Sequence, residues 1–236
     1  MVGADPEHYL QRRTEVGGHE VLHGIRFLGG DVRQPFVDLL GTAAPIDEAI
    51  AAVRRAWPRF APERVRVWAG STPPVEGATV DQWLLAGRPR PDTAVALHDA
   101  DPAEAVDWAE RQLVAWREQH PWMIGRVFAL DAEQARACAD DHGLCWVMDG
   151  AQRVGLWGVR RGRLREWTGW EVVEQVIAPG HSGRGLAAAA QRAWASRRPE
   201  EVVFGTIDGD NEASLRTAAR AGRERVAAWW WCGTSG

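Results

Sequence analysis

Between residues 171 and 188 the chain reads Glu-Val-Val-Glu-Gln-Val-Ile-Ala-Pro-Gly-His-Ser-Gly-Arg-Gly-Leu-Ala-Ala. An apolar run stops at Pro179, and a loop with glycines at 183 and 185 opens directly into an alanine-rich stretch of helical character. That order makes an anion site. Glycine lets the backbone approach a ligand closely, and the N–H groups of a helix's first turn have no helical acceptor and lie at its positive end. A diphosphate is the anion that fits, and Arg184 could add a charge-assisted contact. The loop has neither the Gly-x-Gly-x-x-Gly of dinucleotide folds nor the Gly-Lys-Ser/Thr of a P-loop.

The company this loop keeps is more specific than the loop itself. It resembles the cofactor motif of the GNAT acyltransferase superfamily, Val-x-Pro-x-x-(Gln/Arg)-x-x-Gly-x-(Gly/Ala). Here that motif reads Ile177, Ala178, Pro179, Gly180, His181, Ser182, Gly183, Arg184, Gly185, Leu186, Ala187. The second signature of that superfamily is an asparagine after the next strand, followed at fixed spacing by a tyrosine and then a glycine. Asn211, the only asparagine in the chain, stands at the first position, with Ala218 at the tyrosine and Gly222 at the glycine. The resemblance runs over roughly residues 93–236, including strand order and the turn over 149–155, and is silent on residues 1–91.

The resemblance implies an α/β (α+β) fold with a GNAT-like mixed, mostly antiparallel sheet flanked by helices, carried by residues 92–236. It also implies acetyl transfer from acetyl-CoA to an amine nitrogen by direct attack. Main-chain groups of Gln175, Val176 and Ile177 would pair with the pantetheine arm. Ser182, Gly183, Arg184, Gly185, Leu186, Ala187 and Ala188 would wrap the diphosphate, and Asn211 with Ser214 would contact the cofactor. For the base it points to Glu171, which matches the catalytic glutamate of histone-acetylating members; the other reading is a solvated strand-end carboxylate. Strand alternation puts its side chain on the face opposite Glu174. Asp208 and Asp210, flanking Gly209, are second candidates, or else turn formers and caps. His181 at the loop apex is an imidazole that could transfer a proton but stands where a phosphate-side residue is usual.

Two positions depart from the pattern. Ser182 replaces the usual Gln or Arg, and Ala218 leaves no tyrosine to protonate the departing thiolate; the only tyrosine is Tyr9. A thiol pKa near ~8.5 makes the thiolate a tolerable leaving group without help. These departures keep open a non-catalytic acyl-CoA-binding or regulatory module. A protein N-acetyltransferase is the other alternative, although a small-molecule amine acceptor is favoured because the N-terminal region could roof the cleft.

The bulk of the chain fits a soluble enzyme. Apolar residues at 45% and charged residues at 25% are ordinary for a globular protein. A net charge of −4 argues against a nucleic-acid partner, and no apolar run approaches the ~20 residues of a membrane span. The first ten residues lack a basic start and apolar stretch, so a cytoplasmic protein is expected. Three cysteines without CxxC spacing offer neither a disulfide framework nor a metal site; Cys145 and Cys232 read as small buried hydrophobes. All 28 basic residues are arginine, which agrees with codon bias in a GC-rich genome.

The elements that must position the motif follow from periodicity and breakers. Prolines at 89 and 91 mark a linker over 87–92, dividing an N-terminal accessory α/β region, 1–91, from the acetyltransferase-like domain, 92–236. The first part has strands over 24–28, 36–40 and 64–68 and a helix over 46–57. The second reads β-α-α-β-β-β-α-β-α-β: strand 93–98, helices 102–119 and 131–141, strands 144–148 and 154–159, a polar turn over 160–163, and strand 171–177. Helix 186–196, strand 202–207, helix 212–220 and strand 226–232 complete it. In the last strand Trp230 faces away from Trp229 and Trp231, an aromatic wall that could receive a flat or cationic acceptor. Its exposed edge could pair with a second copy, so a homodimer is the expected assembly if any.

Overall fold

The computed structural model describes residues 10–91, 94–125 and 127–233. Tyr9 and the expected strand start at Thr93 lie outside them. The chain gathers into two compact units, and the boundary is not the one at residue 91. The first unit takes residues up to Leu84 together with 208–210 and everything from Arg225 onward. The reason is pairing: the last strand runs antiparallel along a strand of the N-terminal part, Trp229 opposite Trp68 and Trp230 opposite Val67.

In the first unit β1 (Gln11–Val16), β2 (His19–Phe27) and β3 (Pro35–Thr42) are antiparallel neighbours, and α1 (Ile46–Arg55) crosses to β4 (Arg64–Gly70), parallel to β3. With β5 (Thr79–Gly87), which begins here, and β11 (Glu224–Cys232), the order is β1-β2-β3-β4-β11-β5. Helix α1 presents Ala49, Ile50 and Val53 to one face of this sheet, where Val21, Ile25, Val37, Val65, Val67 and Trp230 close the core. Strand β5 was not expected from the sequence, and the prolines after it do not make a free linker. A Cβ on Gly87 would stand 2.4 Å from the Gly222 carbonyl oxygen, so the backbones there are already in contact.

One polar side chain is locked into that core. His23 has no exposed surface; the Trp57 indole N–H donates to its Nδ1 at 2.9 Å, and its Nε2 lies 2.9 Å from the Thr14 hydroxyl. A ring that accepts at Nδ1 carries its proton on Nε2 and is neutral. Burial, with a smaller push from the Arg12 cation, holds its pKa below the ordinary 6.5. The folded pKa is below the unfolded one, so the stabilisation is complete above pH 6.5 and is lost as pH falls through the lower folded value. Thermal melts between pH 7.5 and 5 should show a falling midpoint, and His23→Gln should reduce that slope while melting lower at pH 7.5.

The second unit spans 85–207 and 211–224. Its sheet runs β10 (Val203–Asp208), β9 (Trp167–Ile177), β8 (Gln152–Leu164), β7 (Leu144–Asp149), β6 (Ala96–Asp99). Only β9 and β10 are parallel; the others pair antiparallel, as the expected mostly antiparallel sheet requires. Helices α2 (Pro102–Gln119) and α3 (Ala132–Asp140) cover one face, and α4 (Leu186–Arg197) the other. Each start is written in sequence. Asp101 accepts the Glu104 N–H at 3.0 Å ahead of Pro102, and Asp131 with Gln134 forms a reciprocal capping box. The expected turn over 160–163 is instead strand: β8 continues to Leu164 and turns at Arg165, a non-glycine residue at φ 57°.

Both units repeat one arrangement, three antiparallel strands and then a helix crossing to a parallel fourth: β1-β2-β3-α1-β4 and β7-β8-β9-α4-β10. They differ in the connection before the helix. It is Ala-Ala-Pro after β3, and a longer segment with glycines at 180, 183 and 185 after β9. All three cysteines are buried and free, their thiols pushed up to about 12 at Cys138 and about 11 at Cys145 and Cys232 by burial.

Candidate functional site

Strand β9 separates from β10 halfway along. Their pairing consists of Val203 with Trp170 and Phe204 with Glu171, after which β9 runs on to Ile177 without a further partner on that side. A bulge lies just past the point of separation. On β8, Gly158 pairs with Glu174 and the next residue, Val159, with Val172, so Val173 is an extra residue. An inserted residue breaks the alternation of faces and increases local twist. The expectation that Glu171 and Glu174 occupy opposite faces is overturned by it: both carboxylates lie near enough to the Cys138 thiol of α3 to raise its pKa.

Beyond Ile177 the chain makes a short turn in which Pro179 and Ala178 accept from the N–H groups of Ser182 and His181. Gly183 at φ 74° and Gly185 at φ 78° then set the direction of α4. No atom lies within 4 Å of where a Cβ of either would stand, so the glycines serve the left-handed backbone. The first helical bond of α4 runs from Ala189 N–H to the Gly185 carbonyl, and no side chain caps the helix. The amides of Leu186, Ala187 and Ala188 are thus the first-turn donors without a helical acceptor. Gln175 fixes this mouth to β9, donating to the Ala187 carbonyl at 2.6 Å and accepting from Gln191 at 2.7 Å.

A cavity of about 420 Å³ opens here, within the usual range for small-molecule sites. Its wall brings together Gln175, Val176, Ile177, Ser182, Gly183, Gly185, Leu186, Ala187, Asn211 and Ser214. Ala188 is not in the wall, and neither is Arg184, whose guanidinium is held at the surface by Asp149 at 2.6 Å. Asn211 Oδ1 accepts the Ser214 N–H at 3.1 Å, capping α5 (Glu212–Ala221), so its amide nitrogen is the group that remains for a ligand. Ala218 is fully buried and outside the cavity, while Thr217 lines it.

The expected base residues fall elsewhere. Glu171 is engaged by Arg160, Nε to Oε2 at 3.0 Å, and does not line the cavity. Asp208 and Asp210 group with the first unit and are not in the cavity wall; Asp208 accepts from Gln82 at 2.9 Å. The carboxylate in the wall is Glu174. Loss of hydration raises its pKa from 4.5 to about 7, against the lowering effect of the Leu130 and Gln175 N–H groups it accepts. The Leu130 contact is 3.2 Å. The aromatic wall also differs from expectation. Trp229 and Trp231 pack on Trp68 and Phe36 in the first unit, whereas the cavity is lined by Trp116, Trp122 and Phe128 from α2 and the segment after it. Trp116 donates to the Ile177 carbonyl at 2.9 Å and stacks on His120.

No family model and no curated protein matches this chain. Among solved structures it is similar to a GNAT-family acetyltransferase from Colwellia psychrerythraea, with TM-score 0.53 at 11% identity over 91% of this chain and 85% of that one. The chain has the GNAT fold. A GCN5-related N-acetyltransferase from Kribbella flavida is also similar, with TM-score 0.49 and 18% identity over 96% and 90% of the two chains. So is a tandem GNAT protein from the clavulanic acid biosynthesis pathway, with TM-score 0.49 and 13% identity over 99% and 86%.

On this GNAT fold the glycine loop that lines the cavity was readable from glycine spacing. Glu174, Trp116 and Trp122 were not. Their proximity depends on the bulge at Val173 and on how α2 ends, and neither leaves a mark in residue spacing.

Proposed function

We propose that the chain transfers an acetyl group from acetyl-CoA to the amine nitrogen of a small-molecule acceptor, with Glu174 as general base. The observation that carries this reading is the splayed strand beside an uncapped helix mouth: β9 from residue 172 to 177 has no register partner on β10 among the described residues, and Leu186 and Ala187 of the first turn of α4 line the same cavity. An extended amide-bearing arm followed by a diphosphate fits that order of groups. The main chain of Gln175, Val176 and Ile177 would hold the arm, and Gly183, Gly185, Leu186 and Ala187 the diphosphate.

When bound, acetyl-CoA supplies an acyl carbon whose bond to sulfur breaks as its bond to nitrogen forms, the sulfur leaving as thiolate. Glu174 takes the proton that the ammonium form of the acceptor must lose. A carboxyl near pKa 7 is well matched to that task at neutral pH, being about half ionised and basic enough to accept. Ser214 and Thr217, which also line the cavity, carry hydroxyl groups that could stand in for the tyrosine that Ala218 displaces.

Calorimetry with coenzyme A should give one site per chain, and an amine panel with acetyl-CoA and a thiol-reactive dye should release thiol with at least one amine. Absence of coenzyme A binding would remove this reading.

A further inference from the structure

The lining of the same cavity also carries information on the chemical class of the acceptor, provided that the acetyltransferase reading of the site holds. Glu174 Oε2 accepts the Leu130 N–H at 3.2 Å, which ties the base to the segment joining α2 and α3. That segment carries unusual surface. Trp122 is 42% exposed, Ile124 65% and Phe128 72%. Trp122 and Phe128 line the cavity, together with the less exposed Met123, Val127 and Leu113. Apolar side chains left open around a concave site indicate a partner that covers them when bound.

Charge narrows the class further. Among the described residues of the wall Glu174 is the only carboxylate, whereas the guanidinium-bearing Arg216 and Arg220 both line it. An acceptor with a second ammonium group would find no second anion to pair with and two guanidinium cations to oppose it. We propose that the acceptor is a monoamine with an aromatic or bulky apolar body. Trp122 and Phe128 hold the body and Glu174 receives the single ammonium proton. Polyamines and aminosugars, whose bodies are charged or hydroxylated, are excluded.

The test compares 2-phenylethylamine with spermidine and glucosamine at saturating acetyl-CoA. The expected result is a kcat/KM for 2-phenylethylamine at least ~100-fold above the other two, as separate losses of apolar contact and of charge balance would give. Trp122→Ala and Phe128→Ala should each raise KM for 2-phenylethylamine ~10-fold, the scale of one lost aromatic contact. Calorimetry with coenzyme A reports on each variant's fold, because both side chains are exposed. Coenzyme A binding and turnover that favours spermidine or glucosamine would overturn the acceptor class alone, and so would an unchanged KM in both variants. A protein that binds no coenzyme A or acetylates no amine overturns both this inference and the function beneath it.

Discussion

Replacing Glu174 with Gln is expected to lower kcat ~10²–10³-fold while coenzyme A affinity stays within about twofold, since the change removes a proton acceptor and keeps its shape. The pH profile is the sharper measurement. The wild-type rate should rise with pH through an inflection near the carboxyl's pKa of about 7 and then level off, and the variant should lose that inflection. Glu171→Gln, which breaks only the ion pair with Arg160, should leave the inflection in place. Stability moves the other way. The folded pKa is raised above the unfolded 4.5, so the associated stabilisation is full below pH 4.5 and is lost as pH rises through about 7. Glu174→Gln should therefore melt higher than wild type at pH 8, with the gap closing under acid. A variant that is both more stable and nearly inactive is the signature of a carboxyl retained for chemistry. Unchanged kcat with an unchanged profile would exclude Glu174 as the base.

The second large effect is expected at the helix mouth. Gly183 and Gly185 sit at φ 74° and φ 78°, where a β-branched side chain costs about 1–2 kcal/mol. A valine there would also project into space that no atom now occupies beside the free amides of α4. Gly183→Val and Gly185→Val should each weaken coenzyme A binding ~10–100-fold, combining that strain with obstruction of the anion site. Gly180 lies in the same loop without a positive φ and with open space around it, so Gly180→Val should change affinity less than ~3-fold. Equal losses at all three positions would mean that loop disruption in general, and not the mouth of α4, governs binding.

How far the residues themselves foretold this arrangement depends on what each feature leaves in the sequence. Helix α2 was bounded correctly at both ends because an Asp-Pro start and an amphipathic stripe are local signals. The glycine loop was legible for the same reason, because a left-handed backbone selects glycine directly, whereas the capping of α5 by Asn211 was not expected. The continuation of β8 through Arg160, Arg161, Gly162 and Arg163 was hidden, because an exposed strand of charged residues has the composition of a turn. The real turn at Arg165 uses a left-handed residue that carries no glycine or asparagine to announce it. Strand β5 was obscured by Asp81 and Gln82, which interrupt its apolar run. The face of Glu174 relative to Glu171 was misjudged by a single residue of register. Alternation is sound for a regular strand, and the bulge at Val173 breaks it where the chemistry is expected.

The twice-used crossover separates its two helices by what stands in their opening turns. Helix α1 begins after Pro45 with Asp47 and Glu48, whose negative charge settles the positive end of its own dipole. Helix α4 begins with Leu186, Ala187 and Ala188 and carries no acid there, forgoing ~0.3–1 kcal/mol that such a charge would contribute. A phosphate approaching α1 would be repelled by resident carboxylates, whereas α4 leaves its electrostatic vacancy to whatever anion arrives. The same scaffold thus appears once satisfied and once hungry for charge, and a carboxylate introduced at Ala187 would turn the second into a copy of the first.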